Sequence, residues 1–229
     1  MDKRKTVHDF FNKPENYLHK DFGIKVRKRI VKDILGGIKN KKILDAGCGN
    51  GEISIQFSKN NKISLMDISE RMLIIAKSKI PKNNRKNVEC IQSSIEDYNF
   101  NEKFDIIIAI GVLAHVPSAE LTIQKLKLML KSDGKIFLQF SDYKSILTKI
   151  RLFFGKPLYQ PNILTSSELL KTIKNNSFEL INKVQYSLLL PGMGLLSNRF
   201  LYRMTMASYK NKFFSNMGSD YIWEIKLKK

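Results

Sequence analysis

Residues Ile43-Leu44-Asp45-Ala46-Gly47-Cys48-Gly49-Asn50-Gly51 decide how the rest of the chain is read. A short apolar run passes here into glycines at every second position. Glycine is needed where backbone turns sharply and must approach a ligand with no Cβ in the way, so the segment reads as a buried strand entering a nucleotide-type ligand cradle. A dinucleotide-binding loop would place a glycine at position 52, where this chain has Glu52, and that departure favours a different ligand. Asp67 closes the next apolar run, 20 positions after Gly47. That is the separation at which a carboxylate can accept two hydrogen bonds from a ribose diol.

Outward from this loop, Lys42–Ala46, Ile63–Asp67, Val88–Gln92, Phe104–Ile110 and Lys135–Phe140 read as five buried strands. Helical patterns around Ile53–Lys59, Glu70–Lys79 and Leu121–Leu130 separate them, the alternation of repeated βα units and a parallel sheet. Before the first strand, Ile30, Val31, Ile34, Leu35 and Ile38 form the apolar stripe of a helix from Phe22 that Gly36-Gly37 ends. After Phe140, Ser145–Phe154 reads as a short basic amphipathic helix and Thr165-Ser166-Ser167-Glu168 opens a helix to Lys174. Phe178–Tyr186 and Asp220–Lys228 read as two last strands, and the apolar stretch Leu188–Leu196, broken by Pro191 and Gly192, is no continuous helix or strand.

The chain of 229 residues suits one domain with a core of its own, and 43% apolar against 27% charged residues excludes a disordered or collagen-like chain. Its charge of +19 is unevenly placed: +8 over residues 1 to 42, +2 over 43 to 140 and +9 over 141 to 229. A near-neutral core between basic flanks suits an anionic substrate or an anionic membrane surface, though a lysine-rich composition alone would also produce it. Cys48 and Cys90 are the only cysteines, and no apolar segment follows the charged Met1-Asp2-Lys3-Arg4-Lys5. A reducing, cytoplasmic setting without a signal peptide is expected. The three histidines are scattered and make no metal site.

Four segments in order make the resemblance specific. They are Leu44–Gly51, Leu65-Met66-Asp67-Ile68-Ser69 with Met72-Leu73, Phe104-Asp105 through Gly111-Val112-Leu113-Ala114-His115-Val116-Pro117, and Leu126–Leu130 ahead of Gly134. Over about residues 22 to 140 the chain resembles the class I S-adenosylmethionine-dependent methyltransferases. The resemblance implies an α/β, Rossmann-like, seven-stranded and mostly parallel sheet with helices on both faces and the last strand antiparallel. A single domain over residues 1 to 229 would comprise an N-terminal helical lid (1–41), a cofactor-binding core (42–140), and substrate-side insertions with the last two strands (141–229).

The resemblance also implies roles. Gly47, Cys48, Gly49 and Gly51 would wrap the methionine part of S-adenosylmethionine and Asp45 would hold its amino group. Asp67 would take the ribose hydroxyls, and Met72 or its neighbour Ile68 would pack near the adenine. Adenine would meet Ser94 and Ile95, or Asp97 in a shifted register. Ile110 and Gly111 would end the fourth strand under the sulfonium, and Tyr17 or Arg27, from the lid side, would meet the carboxylate. His115 is either the general base of methyl transfer or a brace that caps the following helix. His8, Phe10, Phe11, Tyr17 and His19 precede the first long helix as candidate lid residues.

The expected reaction is methyl transfer to an oxygen, or else a nitrogen, of a small anionic or lipid-linked acceptor such as a glycan unit. The Ser141–Asn162 and Leu188–Met206 regions would choose that acceptor or pack a second copy, and the Ser145–Phe154 helix would touch a membrane surface. Methylation of tRNA or rRNA is compatible with the charge. Against it, no RNA-binding module is appended and no Asn-Pro-Pro-Tyr-like or Pro-Cys segment follows the fourth strand. A cofactor-binding partner subunit without turnover is the non-enzymatic alternative.

Overall fold

In the computed structural model, residues 3–13, 15–18, 21–99, 102–154, 162–187 and 193–228 are described. The chain opens with α1 (Lys3–Phe11), α2 (Glu15–Leu18) and α3 (Phe22–Leu35). The alternating core follows as β1 (Lys42–Ala46), β2 (Lys62–Asp67), α4 (Glu70–Lys79), β3 (Val88–Gln92), β4 (Phe104–Ile110), α5 (Ala119–Leu128) and β5 (Leu130–Ser141). The last part holds α6 (Ile146–Phe154), α7 (Ser166–Asn175), β6 (Phe178–Tyr186), α8 (Asn198–Lys210), α9 (Lys212–Ser215) and β7 (Asp220–Leu227).

The seven strands lie in the order β3-β2-β1-β4-β5-β7-β6. Strands β1 to β5 pair in parallel, and β7 is antiparallel to both its neighbours, β5 and β6. The expected sheet is therefore present, with the antiparallel strand the last in sequence. Because strand order reverses between β1 and β4, the connections leaving them diverge, and a crevice opens at their carboxyl ends.

Both faces are covered, which is why the parallel strands are apolar runs rather than alternations. Ile123 and Leu126 of α5 and Leu169 and Ile173 of α7 bury one face with Leu44, Ile107 and Leu138. Val26, Ile30 and Val31 of α3, Leu73 and Ala76 of α4, and Met206 of α8 bury the other with Ile43, Leu65, Ile108 and Phe137. Glu52, which stands where a dinucleotide loop would carry glycine, ties two helices on that second face. Its carboxylate accepts from Lys28 of α3 at 3.1 Å and from Lys79 of α4 at 2.9 Å. Partial burial pushes its pKa up, but the two ammonium groups outweigh that and hold it below the ordinary carboxylate range.

Three boundaries differ from the sequence reading. The helix expected over Ile53–Lys59 is only a single 3₁₀ turn, Ile55–Phe57, because the Ser54 hydroxyl at its start is drawn to Asp45 and the chain must reach β2 within a few residues. Strand β5 begins at Leu130, where a helix end was expected, since Leu130 pairs with Phe104 across the sheet. Within Leu188–Met206, residues 188–192 lie outside the described residues, but Ser197 caps a helix from Asn198 that broken apolar periodicity did not announce. Phe137 is fully buried among side chains from several elements. Phe137→Ala should destabilise the fold by about 3–5 kcal/mol, read as a lowered urea midpoint with an unchanged slope.

Candidate functional site

The loop after β1 is held by what β2 offers at its end. The backbone N–H groups of Gly47 and Cys48 both donate to the Met66 carbonyl at 2.9 Å, and that of Gly49 donates to Asp67 Oδ2 at 2.7 Å. Asp67 Oδ1 accepts from the Ser69 N–H at 2.9 Å, which fastens the entry to α4 to the same carboxylate. Burial pushes the Asp67 pKa up against these N–H bonds, which favour the ionised form. A carboxylate has about four acceptor positions, so these backbone bonds leave acceptor capacity for a further donor.

Gly47 is confined twice over. Its φ is +74°, and a Cβ there would lie 2.7 Å from Val112 Cγ2. Gly51 is a glycine for another reason: a Cβ would meet Ile55 and Ala76 beneath the loop, so this residue packs the loop onto α4 and does not face the crevice. Met72 is likewise buried off the crevice, and of the two residues expected near the adenine it is Ile68 that faces it.

The crevice is a cavity of about 750 Å³, in the range of small-molecule sites. Asp45, Gly47, Cys48, Gly49, Asp67, Ile68, Ser94, Ile95, Ile110, Arg27 and His115 all face it. The Tyr17 side chain and His19 lie outside the described residues. At one end, Ser94 Oγ donates to Asp97 Oδ2 at 2.7 Å and accepts from the Asp97 N–H at 3.1 Å, so the two alternatives for adenine contact are one hydrogen-bonded turn. At the floor, a side chain at Gly111 would meet the Arg27 guanidinium at 3.1 Å and Gln139 Oε1 at 3.5 Å. Arg27 thus reaches from α3 to the end of β4.

Burial pushes the Asp45 pKa up to about 7, opposed by the Ser54 hydroxyl, which donates to it at 2.5 Å, and reinforced by the charge of Asp67. Burial also pushes the Cys48 thiol well above its ordinary range, which keeps it protonated and unreactive. Cys48 is a wall of the cavity.

His115 sits in the turn between β4 and α5. It does not cap α5, because Ser118 does: its hydroxyl accepts from the Leu121 N–H at 3.3 Å. The imidazole instead meets the edge of Phe11 of α1, with ring centroids 5.1 Å apart. The turn is held from the other side by Asn162, which the sequence reading placed in the insertion without a role. Its amide Nδ2 donates to the carbonyls of Leu113 at 2.9 Å and Val116 at 2.8 Å, and its backbone N–H donates to that of Ala114 at 2.8 Å. Lys5, Val7 and His8 of α1 complete the N-terminal wall, and Gln139, Tyr143 and Leu164 complete the far end. Gln139 left a trace in the sequence, a polar residue inside an apolar strand; Tyr143 and Asn162 fall in the Ser141–Asn162 region expected to choose the acceptor but were not singled out, and Leu164 lies outside it.

The Ser69 hydroxyl is 3.2 Å from both the Phe11 carbonyl and Asn12 Oδ1, so α1 is attached at the mouth between Asp67 and His115. The cavity therefore joins an acidic, backbone-lined half to an apolar half that His115 faces, with His8 on its N-terminal wall.

A methyltransferase domain family model matches residues 38–206. The chain belongs to this family. The domain is 33% identical over 120 residues to a ubiquinone biosynthesis O-methyltransferase of Glaesserella parasuis, covering 49% of this chain and 50% of that protein. It is 35% identical over 109 residues to the protein of that name in Haemophilus ducreyi, covering 44% and 46%. The chain thus spans about half the length of the curated relatives it matches. In fold it is similar to magnesium protoporphyrin IX methyltransferase of Synechocystis with bound SAH, with a TM-score of 0.70, 18% identity, and 99% and 100% of the two chains covered.

Asp45 carries a stability consequence of its own. Its folded pKa lies above the ordinary carboxyl value of 3.8, so the folded state binds the extra proton and stability falls as pH rises from that value through about 7. Asp45→Asn removes this dependence. Relative to the parent, the ligand-free variant should gain about 2–3 kcal/mol between pH 5 and pH 8, measured by urea unfolding at each pH.

Proposed function

We propose that this methyltransferase domain transfers the methyl group of S-adenosylmethionine to an oxygen of a small, largely apolar acceptor. The observation that carries the reading is the pair of buried carboxyls, Asp45 and Asp67, beside a glycine loop on the wall of a cavity that continues to His115. The residues suit this cofactor. Asp45 is a buried carboxyl raised toward neutrality, which an ammonium group beside it would restore to the ionised form. Asp67 keeps acceptor capacity for a ribose diol, and Ser94, Ile95 and Asp97 form the end where an adenine would lie. Arg27 at the floor is the counter-charge for the cofactor's carboxylate.

The bound cofactor supplies an electrophilic methyl group on a sulfonium. The chain's part is alignment and proton transfer. Gly111, with φ +77°, turns the backbone at the end of β4, and having no Cβ it lets the Arg27 guanidinium and the Gln139 amide lie close against that turn. Phe11, Val112, Phe140, Tyr143 and Leu164 line the apolar half, excluding water from a hydroxyl held there. His115 takes the proton that the hydroxyl must lose. Phe11 on one side and Asn162 on the other hold its turn. The basic flanks favour an acceptor that is anionic or is joined to an anionic lipid. A cytoplasmic place of action is supported by two free cysteines, one of them buried.

Asp67→Ala should lower affinity for S-adenosylhomocysteine by at least about tenfold by calorimetry; an unchanged affinity would reject the ribose contact. His115→Ala should lower kcat by about 100-fold or more, with cofactor affinity nearly unchanged and the acid limb of the pH–rate profile lost. Asn162→Ala should lower kcat less than that while keeping the acid limb. A histidine that merely braces the turn would leave that limb in place in both variants.

A further inference from the structure

The basic C-terminal flank carries an exposed apolar surface that lines no part of the cavity. Of the fourteen large apolar side chains exposed among the described residues, seven fall within residues 195–217. Leu195 is 93% exposed and Phe213 72% exposed, with Phe200, Met204, Phe214 and Met217 completing the set beside Leu196. Leu196, Phe200 and Met204 are spaced four apart, so they form one row at and along α8, while Leu201, Thr205 and Ser208 face inward. Arg199, Arg203 and Lys210 are exposed on the same helix. No Asp or Glu occurs from residue 187 to residue 219.

We propose that α8 and α9 form a docking surface for an anionic lipid bilayer, the helix lying in the interface with its Phe and Met row dipped toward the acyl chains and its arginines on the headgroups. An apolar row beside uncompensated cations is what such a helix requires. The charge argues against a second copy as occupant, since two such faces would set arginine against arginine. RNA would use the arginines but has no use for a row of Leu and Met. No helix among the described residues is long and apolar enough to cross a membrane, so the contact is peripheral.

The surface is rooted at the cavity. The Ser219 N–H donates to the Ser187 carbonyl at 3.0 Å, and the Asp142 N–H donates to the Ser219 carbonyl at 2.9 Å, between the cavity residues Ser141 and Tyr143. Docking would therefore bring a bilayer close to the apolar half of the cavity. This corollary, delivery of a membrane-resident acceptor, rests on the methyl-transfer reading; the docking itself does not.

The test is co-sedimentation of the full chain with vesicles of mixed phosphatidylglycerol and phosphatidylcholine, against vesicles of phosphatidylcholine alone. Binding is expected to the anionic vesicles only and to weaken with salt. Arg199→Gln/Arg203→Gln and Phe200→Ser/Met204→Ser should each weaken it by about tenfold, with urea midpoints close to that of the parent. Phe153→Ser, on the exposed face of α6, should leave it unchanged. The proposal falls if anionic vesicles are not bound, if both double variants bind like the parent, or if only Phe153→Ser abolishes binding. It also falls if light scattering shows a dimer that Phe200→Ser/Met204→Ser dissociates, or if the arginines retain bulk RNA and not lipid. Calorimetry with S-adenosylhomocysteine on the same samples keeps the two readings apart, since docking without cofactor binding would sink the function and leave the surface standing.

Discussion

The Asp67 carboxylate is the constraint on which the rest of the site depends. By taking the Gly49 N–H on one oxygen and the Ser69 N–H on the other, it joins the loop after β1 to the start of α4. A buried carboxylate is tolerable only when N–H groups or cations surround it, so the loop must fold back to supply one. That fold leaves no freedom at Gly47, which must turn left-handed within van der Waals reach of Val112. Ser69, positioned in the same arrangement, caps α4 and meets the end of α1. One ionised group therefore sets the loop, a helix start and the attachment of the N-terminal wall. Asp45, whose ionisation burial and then the charge of Asp67 make harder, is a second carboxyl on the same wall, and a cation bound between the two would favour the ionised form of both.

This half of the site was legible in the sequence because its chemistry is local. Three glycines in five residues and a carboxyl at the end of the next strand are close in the chain, and the apolar runs around them are long enough to mark buried strands. Where the reading slipped, the cause was packing that spacing cannot show. Gly51 and Met72 belong to the right motifs but face the interior, since the turn that brings Gly49 to Asp67 rotates Gly51 onto Ile55 and Ala76. Glu52 signalled a departure from a dinucleotide loop, yet its partners, Lys28 and Lys79, come from two other helices. Helix α8 lacked a clean apolar period because it buries one face on the sheet and exposes large apolar side chains on another.

The apolar half of the cavity is built differently. Its residues are distant in sequence and meet only through backbone carbonyls: Asn162 reaches back 49 residues to Leu113 and 46 to Val116. No spacing rule announces an amide that recognises carbonyls of a turn, because any polar residue in the insertion would look the same. Phe11 comes to His115 from the opposite flank. The histidine itself stood out in the sequence, while the groups that set its position came from outside the motif-bearing core.

A division of labour follows from this construction. The near-neutral core holds the loop and carboxyls that bind by backbone geometry, whereas the two basic flanks supply the walls around His115. Substitutions in the flanks can reshape the apolar half without disturbing the Asp67 hydrogen bonds, since no flank side chain takes part in them. The converse does not hold, because α1 is attached through Ser69, whose N–H is bonded to Asp67. The apolar half can therefore be reshaped while the loop geometry stays fixed, but a loss of the carboxylate would loosen both halves at once.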